Sequence, residues 1–125
     1  MTRATVTGAS GLVGANLLRS LLDRGIEVCA ADLRRSPALD GLDVDFVEVN
    51  VRDRSSLAAA FDGADVVFHL AAMISIVGDP TGEVRKVNVE GPANVANAAR
   101  DAGVERVVHC SSVHAFDLEK CGPSL

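Results

Sequence analysis

Three glycines, Gly8, Gly11 and Gly14, recur at intervals of three in Val6-Thr7-Gly8-Ala9-Ser10-Gly11-Leu12-Val13-Gly14. They follow a β-branched run, Thr5 to Thr7, and open an apolar-periodic segment that starts at Leu12. Residues of this type at this spacing suit the binding of a phosphate group. Gly8 can take the backbone through a turn that a Cβ would obstruct. Gly11 leaves room for a phosphate to approach the main chain, and Gly14 lets the following helix lie close to the strand. The first turn of that helix offers unpaired N–H groups and a partial positive charge to an anion. The pattern is Gly-x-x-Gly-x-x-Gly rather than the commoner Gly-x-Gly-x-x-Gly, and glycines alone can equally mark a turn without a ligand. The acidic residue Asp32, closing the next apolar run Val28-Cys29-Ala30-Ala31, favours the ligand-binding reading. Its carboxylate can accept from the hydroxyls of a ribose.

Elements must exist to carry these residues to one place. Strand-like runs cover Ala4–Thr7, Glu27–Ala31, Asp45–Val49, Asp65–Leu70 and Arg106–Cys110. Between them, helical periodicity predicts a helix over Gly11–Arg24, with an apolar stripe of Val13, Leu17 and Leu21 flanked by Leu18 and Leu22. Gly25 serves as its stop. Arg34–Leu42 reads as loop, with Pro37 and Gly41 as breakers. A short helix is expected over Arg54–Phe61, with Asp53 as N-cap and Gly63 as stop. A long one is expected over Thr81–Ala102, with a stripe of Val84, Val87, Gly91, Val95, Ala98 and Ala102, and a kink or a lost backbone bond near Asn88 from Pro92. This alternation predicts a doubly wound parallel α/β sheet of strand order 3-2-1-4-5. Ligands of such sheets lie outside the carboxyl ends of the strands. Those ends carry Gly8, Ser10, Gly11, Leu12 and Val13, then Asp32, then Asn50 and Val51, then Leu70, Ala71 and Ala72, and last Ser111 and Ser112.

Composition narrows the partners. The chain has 125 residues, 48% of them hydrophobic, and a net charge of −5, enough for one globular domain. No basic cluster exceeds the Arg34-Arg35 pair, which argues against nucleic acid. The three cysteines, Cys29, Cys110 and Cys121, have neither metal-ligand spacing nor an even count for a disulfide framework, so no metal is expected and a reducing cytoplasm fits. The first residues are expected to run directly into a strand, so no signal peptide is expected. The longest near-apolar run, Leu70–Val77, is too short to span a bilayer, so no membrane partner is expected.

The pieces Thr7–Gly14, Asn50-Val51-Arg52-Asp53, Val67–Ala72, Val87-Asn88-Val89-Glu90-Gly91 and Arg106–Ser112, in that order, resemble the extended short-chain dehydrogenase/reductases of the NAD-dependent epimerase/dehydratase superfamily. Ser111-Ser112-Val113 and Ala71-Ala72-Met73 make the chain most similar to the dihydroflavonol-reductase and hydroxysteroid-dehydrogenase branch, with sugar-nucleotide epimerases as the alternative. The resemblance implies a Rossmann-type fold and a nicotinamide dinucleotide as cofactor; the Asp32 carboxylate, which would repel a 2′-phosphate, favours NAD over NADP, with Arg34 and Arg35 weighing against it. Gly8, Gly11 and the N–H groups of Leu12 and Val13 would hold the pyrophosphate, Ser10 would belong to the same cofactor-binding turn, and Asp32 would take the adenosine ribose. Asn50, where the family often has Asp, and Val51 would lie by the adenine. Leu70, Ala71 and Ala72 would line the nicotinamide-side ribose, and Asn88 would support the end of the fourth strand. Ser112 would be catalytic, bonding the oxygen of a small-molecule substrate, with Ser111 next in line. A homodimer is compatible with the resemblance. By plain residue statistics, His69 packs at a strand end, His109 is structural or at the surface, and Cys110 is a small buried residue.

One departure stands out. The family's proton-transferring Tyr-x-x-x-Lys unit is absent, because the chain has no Tyr, and its only lysines are Lys86 and Lys120. The fifth strand, Val107-Val108, would also keep an open apolar edge. Both features lead to the expectation that residues 1–125 are the N-terminal dinucleotide-binding portion of a longer oxidoreductase. On that expectation they bind dinucleotide but catalyse nothing alone. A non-catalytic binding module is the remaining alternative.

Overall fold

The computed structural model describes residues 2–112 and Ala115. His114, Lys120 and Cys121 lie outside the described residues. Five strands, β1 (Arg3–Thr7), β2 (Glu27–Asp32), β3 (Asp45–Glu48), β4 (Val66–His69) and β5 (Arg106–His109), form one sheet of order β3-β2-β1-β4-β5. All four pairings are parallel. The expected order is therefore the observed one, and the crossovers carry α1 (Leu12–Asp23), α2 (Arg54–Phe61), α3 (Glu83–Arg85) and α4 (Gly91–Asp101).

The helices cover the two faces of the sheet. On one, Ala15, Leu18 and Leu21 of α1 pack on Ala4, Val6, Val28 and Ala30. On the other, Leu57 and Phe61 of α2 and Val95 and Ala98 of α4 pack on Ala31, Val49 and Val67. Leu18, Leu57 and Phe61 are fully buried, each stabilising the fold by about 1.5–3 kcal/mol relative to exposure. β1 alternates accordingly. Its apolar residues face α1, while Thr5 and Thr7, also fully buried, are hydrogen-bonded: the Thr5 hydroxyl donates to the Ala60 carbonyl at 2.7 Å.

Local chemistry explains the boundaries. The Asp53 carboxylate accepts from Ser55 N–H and caps α2 as expected. Gly25, Gly63 and Gly103 close α1, α2 and α4 with positive φ. The expected single helix over Thr81–Ala102 is instead α3, a π turn over Lys86–Glu90, and α4. Pro92 has no N–H to return to Asn88, and Gly91 N–H reaches Lys86 O, five residues back. The loop Arg34–Leu42 contains a short 3₁₀ turn, Pro37–Leu39, held by the fully buried Leu39.

Three burial expectations are corrected. Val13 is 63% exposed, because the buried stripe of α1 runs through Gly14, Ala15, Leu18 and Leu21. Ala102 is exposed beyond the end of α4. Cys110 is exposed, because β5 is the last strand and every residue along it is exposed. The apolar Val107 and Val108 are thus open to solvent, as the sequence suggests.

Candidate cofactor site

β1 ends at Thr7, and the chain turns at Gly8 with φ +69°. A Cβ on Gly8 would lie 2.7 Å from Ala71 N, because the segment leaving β4 crosses directly above it. A Cβ on Gly14 would lie 2.2 Å from Gly8 O and 2.7 Å from Ala9 Cα. The protein's own packing therefore demands both glycines. Gly11 differs. Its φ is −79°, and a Cβ there would meet only Gly8 O, at 3.4 Å. Nothing in the fold requires glycine at this position, and the space it leaves belongs to a cleft. Gly11 is the N-cap of α1 without a capping side chain, so the first-turn N–H groups of Leu12 and Val13 have no such acceptor.

The cleft has a volume of about 430 Å³ and lies across the carboxyl ends of β1, β2, β3 and β4. Gly8, Gly11, Asp32, Asn50, Val51, Leu70, Ala71 and Ala72 line it, together with Met73 and Ile74. The Asp32 carboxylate is fixed by two backbone donors, Leu33 N–H to Oδ1 at 2.7 Å and Ser10 N–H to Oδ2 at 3.0 Å. Each oxygen keeps a lone pair for a ligand hydroxyl. Asn50 Oδ1 accepts from Arg52 N–H at 3.0 Å and Arg52 Nε–H at 3.2 Å, so both of its lone pairs are engaged inside the protein.

The far wall depends on Thr7, His69 and Asn88. Thr7 Oγ1 accepts from Leu70 N–H at 3.1 Å and Ala71 N–H at 3.3 Å. Its hydroxyl proton is then directed to His69 Nδ1, 2.7 Å away, which makes His69 the neutral tautomer with its proton on Nε2. Burial, and next the neighbouring His109, hold the His69 pKa down at about 4. The two rings stack with centroids 5.4 Å apart. His69 Nε2 is buried and has no partner among the described residues. Further on, Asn88 donates from Nδ2 to Met73 O at 2.7 Å and accepts at Oδ1 from Met73 N–H at 2.8 Å. This paired bond fixes the segment that carries Ala72, Met73 and Ile74 along the cleft.

A strand–turn–helix junction with N–H donors that lack a capping side chain, a carboxylate fixed by two backbone donors and a cleft across the strand ends between β1 and β4 fit a dinucleotide. The profile of the NAD dependent epimerase/dehydratase family matches residues 4–122. The chain belongs to this family. Among its relatives, sterol demethylase protein B of Methylococcus capsulatus is 45% identical over 121 residues, covering 95% of this chain and 37% of that protein. A 3 beta-hydroxysteroid dehydrogenase/Delta 5→4-isomerase of Mycobacterium tuberculosis is 43% identical, covering 88% of this chain and 31% of that protein. A short-chain dehydrogenase/reductase superfamily protein of Agrobacterium tumefaciens, solved with bound NAD, superposes with a TM-score of 0.77 at 34% identity, covering 88% of this chain and 32% of the other. The chain thus spans 31–37% of the length of these two curated relatives.

Within this epimerase/dehydratase-family fold, the expected site residues separate into groups. Eight of them line the cleft. Leu12, 82% exposed, and Val13 lie on the first turn of α1, outside the residues that line the cleft. Asn88 acts on the cleft through Met73. Ser10 bonds the loop after β2, and Ser112 is exposed just beyond β5, outside the residues that line the cleft. The Thr7–His69 pair and Ser36 escape sequence reasoning. Thr7 is visible in the glycine motif, but its partner is 62 residues away, and only the β1–β4 register places them side by side. Among the described residues no group of three His, Cys, Asp or Glu converges as a metal site, and no helix is long and apolar enough to cross a membrane.

Proposed function

We propose that residues 1–125 form the dinucleotide-binding part of an NAD-dependent oxidoreductase that moves a hydride between the nicotinamide and a secondary alcohol or ketone. The observation that carries this reading is the contrast within the glycine turn: the fold itself requires Gly8 and Gly14, whereas a Cβ on Gly11, which lines the cleft, would meet only one backbone atom, at 3.4 Å. The bound cofactor supplies hydride acceptance and donation. In this reading the N–H groups of Leu12 and Val13 and the backbone at Gly8 and Gly11 hold the pyrophosphate, and Asp32 takes the adenosine ribose. Val51 and Asn50 flank the adenine, and Leu70, Ala71 and Ala72 flank the second ribose. Ser112 donates to the substrate oxygen, where charge develops during transfer.

The proton that accompanies the hydride needs a donor working near neutral pH. His69 does not fit, since its pKa of about 4 leaves it neutral and its Nδ1 is bonded to Thr7. With no tyrosine in these 125 residues, the reading assigns proton transfer and the substrate pocket to the remainder of the full-length protein. The similarity to the 3 beta-hydroxysteroid dehydrogenase/Delta 5→4-isomerase supports the dehydrogenase branch. A second reading, a sugar-nucleotide epimerase using the same hydride chemistry internally, draws on the NAD-bound UDP-glucose-4-epimerase of Stenotrophomonas maltophila, which superposes with a TM-score of 0.77 at 26% identity, covering 91% of this chain and 38% of that one. Calorimetric titration of the full-length protein with NAD and NADP tests the common core. NAD is expected to bind more tightly, and Asp32→Ala to narrow the difference; tighter NADP binding by the wild type would refute the assigned role of Asp32. Net reduction of free NAD by secondary alcohols then separates the dehydrogenase from the epimerase, which leaves free NAD unchanged.

A further inference from the structure

Arg34 and Arg35 stand two and three residues beyond Asp32, where the 2′-phosphate of NADP would need positive charge. By sequence alone they contradict a preference for NAD. The structure shows the donors of this loop turned inward. Ser10 N–H and Leu33 N–H go to the Asp32 carboxylate. The Ser10 hydroxyl donates to Arg34 O at 2.7 Å and accepts from Ser36 N–H at 3.2 Å, while the Ser36 hydroxyl donates to Ser10 O at 2.9 Å. The Arg35 guanidinium is drawn away along the chain, with Nη1 2.7 Å from Asp40 Oδ1 and Nη2 3.4 Å from Leu39 O. Asp40 is itself well placed to hold it. Asp40 N–H bonds Pro37 O at 3.0 Å, and the preceding Leu39 is fully buried in the core beneath α1. Among the described residues, Arg34 is then the one cation of the loop without an ion-pair partner, and it is opposed by Asp32.

We infer that Asp40 is a specificity-determining residue: by pairing with Arg35 it withholds from the cleft the second guanidinium that a 2′-phosphate would require. The inference rests on the dinucleotide reading of the cleft. A dianionic 2′-phosphate beside the Asp32 carboxylate needs more than Arg34 can neutralise, and a second arginine would supply both charge and a forked donor set. The Arg35–Asp40 pair is half-exposed, so it adds little to folding. Losing it leaves the protein folded, and the release of Arg35 is worth the modest energy of a surface pair.

The test is calorimetric binding of NAD and NADP to the full-length protein and three variants. Asp40→Asn is expected to tighten NADP binding on the order of fivefold, with NAD affinity changed less than about twofold. Asp43→Asn removes an equal exposed charge without freeing an arginine and is expected to leave the ratio unchanged. Arg35→Gln added to Asp40→Asn is expected to erase the gain. Melting temperatures of all three should match the wild type. The inference is overturned if Asp40→Asn leaves the NADP/NAD ratio unaltered, if Asp43→Asn shifts it as much, or if the gain survives loss of Arg35. Wild-type protein that binds neither dinucleotide overturns the reading of the cleft itself, whereas wild-type binding of NAD with an unresponsive Asp40→Asn overturns this inference alone.

Discussion

Gly14→Ala and Gly11→Val should separate what the fold needs from what the ligand needs. At Gly14 the added Cβ would lie 2.2 Å from Gly8 O, 2.7 Å from Ala9 Cα and 2.9 Å from Ala9 C. All three are backbone atoms, and none can swing aside. Restoring an ordinary contact demands that α1 withdraw from β1 by about 1 Å, which opens the layer formed by Ala15, Leu18 and Leu21. Overpacking of this kind costs about 1–3 kcal/mol, and contact with fixed backbone places it at the upper end. Alanine's better helix propensity returns about 1 kcal/mol, so a net loss of about 2 kcal/mol is expected. At Gly11 the backbone is extended and the added Cβ makes one ordinary contact. Replacing the N-cap glycine costs about 0.5–1 kcal/mol, but the valine methyl groups would occupy the cleft where phosphate must meet the N–H groups. Losing two charge-assisted hydrogen bonds implies weaker NAD binding by on the order of 10²-fold or more. Urea unfolding and calorimetry on the full-length protein read the two effects separately. Gly14→Ala with wild-type stability would refute the close-packing argument. Gly11→Val with wild-type affinity would show that the cofactor does not dock on this turn.

Two further outcomes follow from the site. His69 has an ordinary pKa of 6.5 in the unfolded chain and about 4 when folded, so between these values the unfolded state binds more protons. Its contribution is complete above pH 6.5 and is lost as the pH falls toward 4, by up to about 3 kcal/mol. His69→Asn, which keeps an acceptor for the Thr7 hydroxyl, should flatten that part of the stability–pH curve, and an unchanged curve would show that His69 is not buried neutral. Ser112→Ala should reduce turnover of the full-length enzyme by on the order of 10²-fold while leaving NAD affinity intact. A large loss in Ser111→Ala instead would move the hydroxyl's role by one residue.

Much of the architecture is determined by the sequence acting locally. Alternating apolar strands and periodic helices dictate a parallel α/β sheet, and right-handed crossovers leave little choice of order. Asp53, Gly25 and Gly63 work on their own turns, so their roles can be read one residue at a time. The glycine triplet likewise announces the strand–turn–helix junction between β1 and α1. What the sequence leaves open is which of those glycines the protein's own packing requires. That depends on the chain emerging from β4, 63 residues after Gly8, and on how closely α1 settles onto β1. The same holds for Thr7 with His69 and Asn88 with Met73. A hydrogen bond has reach of about 3 Å, while residues far apart in sequence approach that closely only after strand register and helix packing are set. Tertiary structure alone therefore decides that His69 is held neutral and that Ser10 faces the loop after β2.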